Sequence, residues 1–270
     1  MRSDEKVGLV LEGGGVKGAC EAGVLSLLSP LGASFDGVAG TSIGAINAGL
    51  YLDGGVDLVL KMWAEVWAGT VVDIDEDALL RVKNRDIDKD LLLYMGKKLI
   101  KFRSLIEKSY VKTENFFSGK VSEERIRASG KQLGIVTYCV TDRQPLELLM
   151  DEIPKGLLVE YLIASATYPI FPPKEIEGKK YIDGGVYDNM PVNLLARGGY
   201  KKQLVIRTNV ADKKPRRKAE DDLDLFYILP DEDLGHAMAF TSGKVERLME
   251  KGKEDARRAL DNGLREFLGL

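Results

Sequence analysis

The sequence predicts an α/β fold, a three-layer α/β/α arrangement around a central, mostly parallel sheet. Three observations point there. "VGLVL", residues 7–11, is a continuous apolar run, the pattern of a strand buried on both faces. A glycine-rich turn and a helical segment follow it. The same succession recurs immediately, with a strand at 35–39, a second glycine-containing turn and a helix over 43–52. Strands alternating with helices in this way build parallel sheets covered on both faces.

The remaining elements follow in order. Residues 17–29 read as a helix with Ala19, Ala22, Leu25 and Leu28 toward its core side. Residues 56–67 form a further helix, with Val59, Trp63 and Val66 on one stripe. From about 70 to 130 the sequence becomes charged and weakly periodic, which suggests a helical cap inserted into one domain spanning 1–270. Strands return at 133–140, 146–150, 179–182 and 203–208, with a helix at about 156–165. A charged loop covers 211–224, and a helix over roughly 240–267 closes the chain.

Composition narrows the function classes. The chain has 270 residues, 44% hydrophobic and 30% charged, which suits a globular protein with a sizeable core. A net charge of −3 gives no basic excess of the kind nucleic acid attracts. Two cysteines, Cys20 and Cys139, form no C-x-x-C and suggest neither a metal site nor a disulfide framework. The first residues carry early acidic groups unlike a signal peptide, and no stretch is expected to span a membrane. The expectation is a soluble, cytoplasmic protein without metal or cofactor.

The chemistry lies in three short segments. "GTSIG", residues 40–44, places Ser42 between Gly40 and Gly44 where a strand becomes a helix. That is the G-x-S-x-G context in which a serine hydroxyl is lifted above a sheet edge as a nucleophile; an incidental serine in a glycine-rich turn is the alternative. "GGGVKG", residues 13–18, also follows a strand and opens a helix. Its spacing matches a dinucleotide turn, but the acidic residue Asp36 begins the second strand instead of closing it. Successive glycine N–H groups before a helix suit an anionic oxygen better, and Gly14, Gly15 and Val16 are the candidate donors. Lys17 is expected as an exposed first-turn lysine. A serine needs a base, and the candidates are Asp183 in "YIDGGVYDNMP" and the single histidine, His236.

Taken in order, "LEGGGVKGACEAGVL", "FDGVAGTSIGAINAGLY", "ASATYPIFPP" and "GKKYIDGGVYDNMPV" resemble the patatin-like phospholipase family over roughly residues 6–53 and 133–208. The resemblance implies a Ser–Asp dyad, with Ser42 as nucleophile and Asp183 as general base. It also implies that the loop Gly13, Gly14, Gly15, Val16 and Gly18 supplies the oxyanion hole, that the substrate is an acyl lipid and that no metal takes part.

Two further readings stand beside this one. An α/β-hydrolase would order its triad Ser42, Asp183, His236, although the elbow after the second strand and the glycine loop upstream argue against it. A non-catalytic lipid- or nucleotide-binding protein would use the same loops without turnover. Within the cap, residues 96–112 carry Lys97, Lys98, Lys101, Arg103, Lys108 and Lys112 against Glu107, interleaved with apolar residues. Such a segment fits a membrane-surface helix or a cap helix packed on the domain with solvated lysines.

Overall fold

The computed structural model describes residues 6–69, 118–119, 121–169, 171–210, 217–237 and 242–270. Most of the expected cap, including Lys97, Lys98 and Lys101, lies outside the described residues. The elements are β1 (Val7–Leu11), α1 (Gly18–Leu28), β2 (Gly37–Thr41), α2 (Ile43–Gly69), α3 (Glu123–Ala128), β3 (Gln132–Cys139), β4 (Gln144–Leu149) and α4 (Leu158–Ser165). They continue with β5 (Lys174–Ile176), β6 (Lys179–Asp183), α5 (Val192–Arg197), β7 (Lys202–Ile206), β8 (Asp224–Ile228), α6 (Ser242–Ala259) and α7 (Arg265–Leu268).

The eight strands form one mixed sheet in the order β5-β6-β3-β2-β1-β7-β8, with β4 also on β3. β3, β2, β1, β7 and β8 run parallel, whereas β4, β5 and β6 pair antiparallel. Alternate residues of each strand face opposite layers. Leu9, Leu11, Val38, Leu204 and Ile206 pack with residues of α1, α2 and α6. Val10, Ala39 and Val205 face the other way, onto Val192, Leu195 and Tyr200 around α5. This is the α/β architecture expected, with a thinner second helical layer.

Several expectations shift. The second strand lies at Gly37–Thr41, two residues beyond the predicted 35–39, so it runs directly into Ser42. The helices expected at 43–52 and 56–67 are both present within Ile43–Gly69, parted by non-helical backbone at Gly54 and Gly55, the latter at φ 69°. β8 falls where the charged loop was expected to end, and it is an edge strand whose polar start hides its periodicity. One helix bears on the expectation that no stretch spans a membrane. Among the described residues one helix, Ile43–Glu65, is long and apolar enough by length and composition. Half of that stretch is buried, and Ile46, Leu50, Met62 and Trp63 lie in the core.

Sheet pairing has one consequence for the site. β2 and β6 occupy the same edge of β3, because β4 takes the opposite edge along Gly134–Cys139. Thr41 stands opposite Val136, and Asp183 stands opposite Thr137. Two segments distant in sequence therefore end beside each other on adjacent residues of one strand.

Candidate active site

Ser42 follows the last residue of β2 and precedes the first residue of α2. Its φ is 59°, in the left-handed region that a non-glycine residue enters only when the surroundings hold it there. The crowding explains the flanking glycines. A Cβ on Gly40 would come within 2.3 Å of the Gly44 carbonyl group, and one on Gly44 within 2.3 Å of the Leu11 oxygen. The turn is secured on both sides of the serine. Its carbonyl accepts from the N–H groups of Ala45 at 3.0 Å and Ile46 at 3.2 Å. Its own N–H donates to Ser165 Oγ at 2.9 Å, and that hydroxyl in turn donates to the Val136 carbonyl at 2.6 Å.

Ser42 Oγ donates to Asp183 Oδ2 at 2.5 Å. The other carboxylate oxygen accepts from the Gly185 N–H at 2.7 Å, and the Asp183 N–H donates to Thr167 O at 2.7 Å. Gly184 allows the chain to turn against β3, since a Cβ there would lie 2.1 Å from Val136 O. Asp183 is buried, and that desolvation pushes its carboxyl up to about 6, opposed by its bonds to Ser42 and Gly185. A carboxylate poised near neutrality, in contact with a serine hydroxyl, is able to accept its proton.

The glycine loop lies against the elbow. A Cβ on Gly13 would be 3.1 Å from Ser42 Cβ. The amides of this loop are not equivalent. Gly13 N–H donates to Asn189 O at 3.1 Å, and Val16 N–H donates to Ala237 O at 2.8 Å. Gly18 N–H is taken by the carbonyls of Gly15 and Val16. Among the described residues the N–H groups of Gly14 and Gly15 have no hydrogen-bond partner, and both glycines are half-buried. Within this loop the N–H groups of Gly14 and Gly15 are thus left open, whereas that of Val16 is engaged with the Ala237 carbonyl.

Lys17 corrects another expectation. It is buried, with Nζ donating to Asn209 Oδ1 at 3.3 Å. Asp36 has a structural part, accepting the Val7 N–H on Oδ2 at 2.9 Å. His236 is half-buried, and its imidazole is not among the hydrogen-bond partners of Ser42 or Asp183. Its carbonyl accepts from Lys244 Nζ at 3.0 Å. Ser165, Asn189 and Thr208 are site neighbours to which the sequence reading gave no role, although Ser165 lies within "ASATYPIFPP" and Asn189 within "GKKYIDGGVYDNMPV". Their hydrogen bonds to the elbow and the glycine loop each span more than a hundred residues, so no local pattern signals those contacts.

Comparison with known proteins agrees with the geometry in family and fold. The model of the patatin-like phospholipase family matches residues 9–196. Similar proteins include lysophospholipase NTE1 of Candida albicans, 26% identical over 236 residues, which cover 84% of this chain and 15% of that protein. The Scheffersomyces stipitis protein of the same name is 24% identical, over 84% of this chain and 13% of its own length. An uncharacterized NTE family protein of Mycobacterium bovis is 24% identical, with 82% of this chain and 54% of that protein covered. The chain thus spans about half the mycobacterial relative and a small part of the yeast ones. Among solved structures, VipD from Legionella pneumophila shares the fold at a TM-score of 0.50 and 16% identity, covering 96% of this chain and 67% of that one. With the family model matched over most of its length, the chain belongs to the patatin-like phospholipase family.

Proposed function

We propose that the protein hydrolyses carboxylic esters of acyl lipids through a Ser42–Asp183 dyad. The observation that carries this reading is the 2.5 Å hydrogen bond from a backbone-strained serine to a buried carboxylate. Asp183 takes the proton as Ser42 Oγ bonds to the ester carbonyl carbon, and the carbonyl oxygen becomes an oxyanion. The N–H groups of Gly14 and Gly15 receive that oxyanion; one such donor is worth about 3 kcal/mol in the transition state. Collapse expels the alcohol, which takes the proton from Asp183. A water then gives its proton to Asp183 as it attacks the acyl-enzyme, which releases the fatty acid and restores Ser42.

The lipid class rests on similarity to proteins named phospholipases and lysophospholipases. The basic, apolar-interleaved segment 96–112 supports contact with a membrane surface during turnover. The dyad is favoured over the His236 triad because Asp183 is bonded to Ser42 itself, where a triad would place an imidazole. The test is release of fatty acid from lysophosphatidylcholine and of p-nitrophenol from a short ester. Ser42→Ala and Asp183→Asn should each lower kcat by several orders of magnitude, and the double variant should be little worse than either. Either folded variant turning over at the wild-type rate would defeat the dyad.

A further inference from the structure

The carbonyl of Gly13 is the most heavily anchored group in the glycine loop. It accepts from Asn189 Nδ2 at 2.8 Å and from Thr208 Oγ1 at 2.8 Å. Both donors are themselves fixed. Asn189 is tied to the loop a second time, because its own carbonyl accepts the Gly13 N–H at 3.1 Å. The buried Glu12 carboxylate accepts the N–H groups of Thr208 at 2.8 Å and Asn209 at 3.1 Å, which holds the turn that presents the Thr208 hydroxyl. Glu12 also faces the Arg207 guanidinium at 3.4 Å.

This anchoring matters because a peptide group is planar. The Gly13 C=O and the Gly14 N–H belong to one trans peptide and point in opposite directions. Two hydrogen bonds on the oxygen therefore fix the direction of the N–H on its other side. Glycine-rich peptides are otherwise free to flip, and a flipped peptide would turn a carbonyl toward the place where negative charge must develop. A Cβ on Gly14 would lie 2.6 Å from Thr208 Oγ1, so glycine is required there for the hydroxyl to come this close.

We propose that Thr208 and Asn189 are positioning residues that clamp the Gly13–Gly14 peptide and so present the Gly14 N–H as an oxyanion donor. The proposal rests on the catalytic reading given above and adds the device that keeps its oxyanion hole formed before substrate arrives. Thr208 is the cleaner probe, since Asn189 Oδ1 also lies against Gly185, beside the Asp183 carboxylate.

The experiment compares wild type, Thr208→Val and Thr208→Ser in steady-state hydrolysis of p-nitrophenyl butyrate. The Gly14 amide resonance is followed in glycine-labelled protein before and after reaction with a fluorophosphonate. Thr208→Val should lose about tenfold in kcat with KM changed less than about twofold, short of the hundredfold or greater loss on deleting a donor outright. Its Gly14 resonance should move less on adduct formation than in wild type, and Thr208→Ser should recover most of the rate. If Thr208→Val melts below the assay temperature, Asn189→Ser, too short to reach Gly13 O, carries the same expectation. Wild-type kcat with a wild-type Gly14 response would overturn the clamp, as would a change confined to KM. Esterase activity that survives Ser42→Ala would instead defeat the catalytic reading, and the clamp with it.

Discussion

Ser42 and Asp183 lie 141 residues apart in sequence and 2.5 Å apart at their side-chain oxygens. One strand accounts for this, because Val136 and Thr137 of β3 pair with Thr41 and Asp183 in succession. The relationship is built into the sheet, so it does not depend on a flexible loop to bring the two groups together. Its cost is a carboxylate held out of water with one backbone N–H and one hydroxyl for company.

That cost has a sign. The Asp183 carboxyl moves from 3.8 to about 6 on folding, so the folded chain binds its proton more tightly than the unfolded chain does. Between these values stability falls as pH rises, and above about pH 6 the ionised group costs roughly 3 kcal/mol. Asp183→Asn should therefore melt several degrees higher than wild type at pH 7.5, with the gap closing toward pH 4. Thermal melts across this range provide the check, and an equal loss of stability at both ends would contradict it.

The same burial sets the pH dependence of turnover. If Asp183 accepts the proton, kcat/KM should fall about tenfold per pH unit below a limb near 6. Asp188 complicates the assignment, since burial raises its carboxyl to about 6 as well. Its carboxylate accepts the Met190 N–H and faces Arg217, and the Ser42 hydroxyl donates to Asp183 instead. Asp188→Asn should leave the acid limb in place. A limb that vanishes in that variant would assign the titration to Asp188.

Ser165 supports the elbow through the Ser42 backbone N–H. Ser165→Ala would leave the Ser42 N–H and the Val136 carbonyl without their present partner. Leaving buried groups unpaired costs about 1–3 kcal/mol, so urea denaturation should show a loss of that order. The strained serine should also be less well held, and kcat should fall while KM changes little. Unchanged stability would mean that water replaces the hydroxyl fully.

These residues mark where the sequence was legible. β1, the elbow and the Asp-Gly-Gly turn carry local signatures: an apolar run, glycines where side chains would collide, and a carboxylate at a strand end. Ser165 and Asn189 fall inside quoted segments, but nothing local marks their clamping contacts or that of Thr208, because a hydroxyl or amide becomes a clamp only when distant strands deliver it. The burial of Lys17 was hidden for the same reason, since Asn209 reaches it across 192 residues. β5 and β8 were missed as short edge strands with polar residues and no full alternation.

His236 separates the dyad from a triad. No hydrogen bond joins its ring to Asp183, whose oxygens accept from Ser42 and Gly185. His236→Ala should retain activity within about fivefold of wild type, the range of a substitution remote from the chemistry. A loss of about a thousandfold in a well-folded variant would require an imidazole base.

The central claim is that Ser42 is a nucleophile activated by Asp183. The most direct measurement is mass spectrometry of the intact protein and its tryptic fragments after treatment with a fluorophosphonate. One adduct per chain should form on Ser42, within the tryptic fragment of residues 18–61. It should be absent from Ser42→Ala and form far more slowly in Asp183→Asn. An adduct on another serine, or labelling of Asp183→Asn at the wild-type rate, would contradict the account.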